Sequence, residues 1–384
     1  MNTIFPEHAF PLRDPELERT DLYTFAGDQS KPVVLFGLRG PGGMNCLWPV
    51  IEIFKREHYP IDLLIDSAAK RILKSQDSGF SEQQPGSPLK RIMEIKPAVA
   101  VTEFSAGGGT ALALEWSEQS YKTPTVCVED FPGTTSGDPE YLRINPTYLC
   151  VQNETARRVA IKHRPSMNSD NIVVTGHPDF DKYASINAAE VREQTREGIG
   201  VETDEFLVVY SGQLPPETPD ILEHLVDGLS EVKTDKKLVL LFSRHSRDTL
   251  TEESYQNILK RFKGKIVSQG KVPSDDIGFA NDLLVTMTST EGLKSAYRRV
   301  PSIHVMPREL IGNVDPDFVP LPVQAQASLG VYSYSELAEA VERSINNREF
   351  RDRQIESMKQ HFISDGNAAQ RVVEVIKRAT NKVL

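Results

Sequence analysis

Lys31-Pro32-Val33-Val34-Leu35-Phe36-Gly37-Leu38-Arg39-Gly40-Pro41-Gly42-Gly43 decides the fold. Its first eight residues form a short, nearly continuous apolar run. That is the pattern of a strand buried on both faces of a parallel sheet, because a strand with one wet face alternates instead. The glycines behind it end the strand, and from Cys46 the apolar residues Leu47, Val50, Ile51 and Phe54 recur at helical spacing. Ile61-Asp62-Leu63-Leu64-Ile65 supplies a second strand and completes a strand-loop-helix-strand unit.

The alternation continues toward the C-terminus. Ala98–Thr102 reads as a strand, Gly107-Gly108-Gly109 as a loop, Ala111–Ser120 as a helix and Thr125–Val128 as a strand. Tyr148–Val151 and Asn171–Thr175 are two further strands, separated by a helix that begins near Glu154. Between Asp181 and Asp204 the chain turns polar, with Glu190, Arg192, Glu193, Arg196 and Glu197 on what reads as a solvated helix, and the domain boundary is placed there. A second series follows, with strands at Phe206–Tyr210, Leu238–Phe242, Lys265–Val267, Leu283–Met287 and Ser302–Val305, and helices at Pro219–Leu229, Glu252–Phe262 and Gly292–Arg298. Strand-helix alternation of this kind predicts an α/β protein of two Rossmann-like, doubly wound parallel-sheet domains. The expected domains are residues 1–185 and 203–363, with a closing helix in 364–384 that packs back on the first. Residues 1–31 read as surface decoration, the core beginning after them.

Composition narrows the partners. Forty-four Lys and Arg against 54 Asp and Glu leave a net charge of −10, which removes the diffuse positive field that non-specific nucleic-acid binding needs. No apolar run approaches a membrane span, and Met1-Asn2-Thr3-Ile4-Phe5-Pro6-Glu7-His8 lacks the order of a signal peptide, so the expectation is a cytoplasmic protein. Lys70, Arg71, Lys74, Lys90 and Arg91 read either as a local basic groove, open to an anionic acceptor or a membrane surface, or as one solvated helix face. Cys46, Cys127 and Cys150 are too few and too scattered for a disulfide framework or a zinc site, and no metal is expected.

The candidate chemistry lies just past strand ends. Gly42 and Gly43 sit where backbone N–H groups and a helix dipole can face an anion, although the spacing matches neither the P-loop nor the dinucleotide fingerprint. Glu103, and the pair Glu129 and Asp130, follow two other strands of the first series. Carboxylates that converge raise one another's pKa, which suits one of them to general-base work; solvated loop carboxylates are the plainer reading. His177, in Thr175-Gly176-His177-Pro178, reads as a substrate contact or as part of a hinge. In the second series Gly212 and Gln213 form a small polar turn, and Arg244 beside His245 offers a charge-assisted phosphate partner, against a plain surface pair with Asp248. Thr288-Ser289-Thr290-Glu291 places hydroxyls at a helix start, an anion cradle, with Glu291 available to a sugar hydroxyl or simply favoured by the helix dipole.

The order of these motifs resembles the GT-B superfamily of nucleotide-sugar glycosyltransferases and non-hydrolysing UDP-N-acetylglucosamine 2-epimerases. The similarity spans most of the chain. It rests on the first glycine loop, Lys96-Pro97, Cys127-Val128-Glu129, Val174-Thr175-Gly176, Arg244-His245, Ser289-Thr290-Glu291 and Asp365-Gly366-Asn367-Ala368-Ala369. The resemblance implies two domains facing each other across a cleft, a nucleoside diphosphate held by the second through Ser289, Thr290 and Arg244, and no cofactor beyond the nucleotide-sugar substrate. It makes Glu129 the leading catalytic residue, with Glu103, Asp130 and His177 in reserve. The epimerase context Val-Glu-Ala-Gly reads Val128-Glu129-Asp130-Phe131 here, and its Asp-Ser-Gly-Gly reads Thr288-Ser289-Thr290-Glu291. The acid expected one turn into the following helix is replaced by Lys294-Ser295. These departures count against epimerisation. The leading expectation is a metal-independent glycosyltransferase that takes a UDP-linked sugar to a glycan, a lipid-linked sugar or another hydroxyl. The alternatives are a nucleotide-sugar 2-epimerase and a catalytically silent sugar-nucleotide binding protein.

Overall fold

The computed structural model describes residues 21–38, 40–65, 67–75, 78–83, 95–103, 122–130, 145–245, 247–312 and 316–381. The Gly107–Gly109 loop, the helix expected at 111–120, and Arg39, Lys90, Arg91 and Phe131–Gly133 lie outside the described residues. The chain divides into two compact units, Met1–Ala184 with Ile363–Leu384, and Ser185–Phe362.

The first unit is built on one sheet. Its strands are β1 (Asp21–Phe25), β2 (Val34–Leu38), β3 (Ile61–Ile65), β4 (Ser81–Glu82), β5 (Val99–Glu103), β6 (Thr125–Val128), β7 (Tyr148–Val151) and β8 (Ile172–Val174). They lie in the order β4-β1-β3-β2-β5-β6-β7-β8. β2, β3 and β5–β8 are parallel, and every residue of β2, β3 and β5 is buried, as their continuous apolar runs require. β1 corrects the sequence reading. Residues 21–25 are not surface decoration but an antiparallel strand on β3, with Tyr23 buried in the core. Helices α1 (Gly40–Arg56) and α2 (Ser67–Ser75) and the closing helix Ala368–Thr380 share one core with a single face of this sheet. α3 (Glu154–His163) starts at Asn153, whose side chain accepts the Ala156 N–H at 2.9 Å.

The second unit carries a parallel sheet of β9 (Glu205–Ser211), β10 (Lys237–Ser243), β11 (Lys265–Val267), β12 (Leu283–Thr286), β13 (Ser302–Val305) and β14 (Leu329–Val331), ordered β11-β10-β9-β12-β13-β14. Its longer helices are α4 (Ala188–Gly198), α5 (Glu217–Glu231), α6 (Glu252–Leu259), α7 (Ser274–Ala280), α8 (Thr290–Arg298), α9 (Tyr334–Asn346) and α10 (Arg348–His361). Ile221, Leu225 and Leu337 of α5 and α9 pack on one face, Ile277 and Ala280 of α7 on the other. α4 is solvated along most of its length, as its composition suggests, with Thr195 and Arg196 the exceptions. Arg196 is 4% exposed, and its guanidinium donates to Asp282 and to the Ala280 carbonyl, both at 3.1 Å.

Strand order locates the ligand end of each sheet. In an open α/β sheet ligands bind beyond the carboxyl ends of the strands, where successive connections turn to opposite sides. In the first unit the chain steps from β2 to β3 on one side and then crosses to β5 on the other, so the switch lies between β2 and β5. In the second it runs from β9 through β10 to β11, then crosses to β12, so the switch lies between β9 and β12.

Candidate active site

Glu103 is the last residue of β5 and is 3% exposed. Its carboxyl lies where a Cβ on Gly43 would stand, closer than side chains approach, so residue 43 must be glycine for the carboxylate to reach the first turn of α1. Asp130 follows β6, and its Oδ2 is 3.3 Å from the position of a Cβ on Gly42. Gly42 and Gly43 are neighbours, about 3.8 Å apart at Cα, so the two carboxylates approach one helix start. Burial drives the Cys46 thiol well above its usual range, and the nearby charges of Asp130 and Glu103 add to it; Cys46 is therefore an inert thiol.

Glu129 does not join them. Side chains alternate along a strand. Val126 and Val128 belong to the core beneath α1, so Asp130 shares their face, while Glu129 shares the opposite face with Thr125 and Cys127. Its Oε2 accepts the Gln152 N–H at 3.4 Å, and its charge acts on the buried Arg164. Of the three carboxylates, Glu103 and Asp130 are the two beside Gly42 and Gly43, and Glu129 is the one that accepts from Gln152. His177 is at the same sheet edge as the pair. Its Nε2 is 2.9 Å from the Asp130 carbonyl oxygen, and its ring stacks on Phe180 with centroids 3.9 Å apart.

At the second switch point Ser211 ends β9 and pairs in register with Thr286 of β12, whose hydroxyl donates to the Ser211 carbonyl at 3.0 Å. Three residues on, Ser289 caps α8, its Oγ accepting the Glu291 N–H at 3.2 Å. The Ser211 and Ser289 hydroxyls are 3.5 Å apart, a weak contact that leaves both O–H groups able to turn to an incoming anion. Thr290, the first residue of α8, is exposed. The Gly212 N–H donates to Ser243 O at 3.0 Å, and the Gln213 Nε2 is buried beside them without a partner. A cavity of about 20 Å³, lined by Ser211, Ser243, Glu291 and Arg298 among others, has room for about one water.

Glu291 is committed elsewhere. Its carboxylate meets Lys294 and Arg298, each at 2.9 Å, and both cations also meet Asp275. Burial pushes the Glu291 carboxyl upward, but the charges of Arg298 and Lys294 outweigh it and hold the group below the usual carboxylate range. Arg244 has likewise taken the plainer of its two readings: its Nε donates to Asp248 at 3.1 Å. His245 Nδ1 accepts the Arg247 N–H at 3.1 Å, so in the neutral ring Nε2 carries the proton. Lys70 pairs with Asp21 at 2.9 Å and Glu82 at 2.7 Å, which removes it from any basic groove.

Sequence reasoning missed the ion-pair network and His304, described below. The spacing of Glu291, Lys294 and Arg298, at i, i+3 and i+7, was the readable signal for the former. Among the described residues no group of His, Cys, Asp and Glu has the arrangement of a metal site. No described helix is long and apolar enough to cross a membrane.

Neither a protein-family model nor a curated protein sequence matches the chain. Solved structures do. S. aureus MnaA in complex with UDP is 15% identical, with a TM-score of 0.65 over 91% of this chain and 97% of that one. The UDP-GlcNAc 2-epimerase of Neisseria meningitidis, bound to UDP-GlcNAc, is 13% identical, with a TM-score of 0.64 over 90% of this chain and 100% of that one. The wall teichoic acid polymerase TagF is 13% identical, with a TM-score of 0.54 over 93% of this chain and 90% of that one. At such identities the likeness is one of fold, and the chain has the α/β GT-B fold.

Proposed function

We propose that this protein is a nucleotide-sugar enzyme whose chemistry is proton transfer at a sugar carbon, of the UDP-GlcNAc 2-epimerase type. The observation that carries the reading is the pair Glu103 and Asp130 at the start of α1. Inverting a carbon by elimination needs two acid/base groups, one to take the C2 proton and one to return it on the opposite face, whereas transfer to a hydroxyl needs a single base. Likeness in fold to a 2-epimerase that binds UDP-GlcNAc supports the same choice. In the elimination the C2 proton passes to a carboxylate, the C2–H electron pair becomes a C1=C2 double bond, and the C1–O bond breaks with its pair leaving on the diphosphate oxygen. Re-addition reverses these steps with the proton delivered from the other side. The second unit's task is to stabilise the charge that develops on the departing diphosphate, through the Ser211 and Ser289 hydroxyls and the start of α8. This takes the place of the glycosyltransferase expectation as the leading reading.

Transfer to an acceptor hydroxyl is the second reading, favoured by Lys294 and Ser295 standing in place of the epimerase acid. The experiment that separates them is incubation with UDP-GlcNAc in deuterium oxide without acceptor. Deuterium at C2 of the recovered sugar supports the proposal. An unlabelled sugar that is transferred once an acceptor is added rejects it for the second reading.

A further inference from the structure

His304 lies on β13 in the sheet of the second unit. The ring is 1% exposed. Its Nδ1 is 2.8 Å from the carbonyl oxygen of Met287, the residue after β12 and two before Ser289. A carbonyl can only accept, so Nδ1 carries the proton and Nε2 is left with a lone pair. That lone pair has no partner, and it faces the first turn of α8 at Gly292. A Cβ on Gly292 would stand within 2.7 Å of Nε2 and closer still to Cε1, so the glycine is what lets the ring slide beneath the helix. The positive end of a helix favours a lone pair there and disfavours a proton. Burial agrees, lowering the His304 pKa to about 4, so the ring is neutral at pH 7.

The contact sits at a sensitive place. The strand-to-helix turn 287–290 carries Ser289, which faces Ser211 and caps α8. Holding the Met287 carbonyl fixes the 287–288 peptide plane at the start of this turn, and the contact of Ser289 Oγ with the Glu291 N–H holds its other end.

We propose that His304 is a positioning residue for the diphosphate cradle: its Nδ1–H anchors the Met287 carbonyl, and the ring under Gly292 holds the turn that presents Ser289. The inference rests on the reading that the β9/β12 crevice receives the diphosphate, but the anchoring itself is tested without any ligand.

Two variants separate anchoring from packing. His304→Leu fills most of the space and removes the donor. His304→Asn offers an amide N–H near the position of Nδ1. Amide hydrogen exchange of the ligand-free protein is measured in the peptide covering 287–291 and in a control peptide from β9. The inference expects exchange at 287–291 to rise at least tenfold in His304→Leu with β9 unchanged, and to stay within about threefold of wild type in His304→Asn. Equal protection in wild type and His304→Leu overturns it. So does loss in both peptides together, which marks a packing residue, and so does an Asn variant as loose as the Leu variant. UDP and uridine affinities then test the cradle: His304→Leu should weaken UDP about tenfold and leave uridine unaffected. A loosened turn with UDP affinity unchanged leaves the anchor standing and rejects the crevice as the diphosphate site.

Discussion

The carboxyl group of Glu103 occupies the volume that any side chain at Gly43 would need. A strand end and a helix start in the first unit are thus fitted to each other around a carboxylate, and the fit makes the first prediction. Gly43→Ala must push Glu103 away from the start of α1. Turnover should fall at least tenfold, with a far smaller change in affinity for UDP, which the proposal assigns to the second unit. Steady-state kinetics beside calorimetric titration with UDP checks this.

Ser289 has two duties, a helix cap and a hydroxyl in the crevice. Ser289→Ala should cost about 1 kcal/mol of stability, the usual worth of a lost cap, and should also weaken UDP binding. Ser289→Asp restores a capping oxygen but sets a negative charge against the diphosphate. It should recover the stability and bind UDP more weakly than the alanine variant. Urea unfolding and UDP titration on the same samples separate the two duties.

Arg298 is nearly inaccessible, its side chain 1% exposed, and it meets both Glu291 and Asp275. Removing one member of a buried pair strands the other, at roughly 3–5 kcal/mol. Glu291 and Asp275 keep some contact with water, so Arg298→Met should cost about 3 kcal/mol, the low end of that range. Glu291→Gln should cost less, because the network retains Asp275. Chemical denaturation measures both.

His304 gives a pH dependence with a definite sign. Its folded pKa of about 4 lies below the unfolded value near 6.5, so the neutral ring belongs to the folded state. Its contribution is complete above pH 6.5, is lost as the pH falls from there toward 4, and changes little below that. The total is roughly 3 kcal/mol. Wild type should therefore lose more stability than His304→Leu between pH 7 and pH 4.5, as followed by urea unfolding at a series of pH values.

The central strands were legible because burial on both faces leaves continuous apolar runs, as in β2 and β3. β1 was not. Asp21-Leu22-Tyr23-Thr24-Phe25 is an outer antiparallel strand whose mixed residues follow a polar, proline-punctuated stretch, so its pairing with β3 has no local signature. β14 escaped because it has three residues, one of them Gly330. At the site, the motifs showed which loops carry chemistry but not which side chains meet. Whether Glu129 or its neighbour Asp130 faces Glu103 turns on the parity of one strand. Parity becomes readable once Val126 and Val128 are recognised as core, whereas the resemblance to the epimerase strand made Glu129 the stronger candidate. Glu291 had two readings in the sequence, and its partners are Lys294 and Arg298, three and seven residues along its own helix, both of which also meet Asp275 on another element.

The central claim is that Glu103 and Asp130, and not Glu129, move the proton at C2. Its most direct measurement is the rate of deuterium incorporation at C2 of UDP-GlcNAc in wild type, Glu103→Gln, Asp130→Asn and Glu129→Gln, each checked for UDP binding. The account expects exchange in wild type, a loss of 10²-fold or more in the first two variants, a typical worth of a general acid or base, and near-normal exchange in Glu129→Gln if that variant folds. Exchange that survives in both Glu103→Gln and Asp130→Asn, or vanishes in a folded Glu129→Gln, contradicts it.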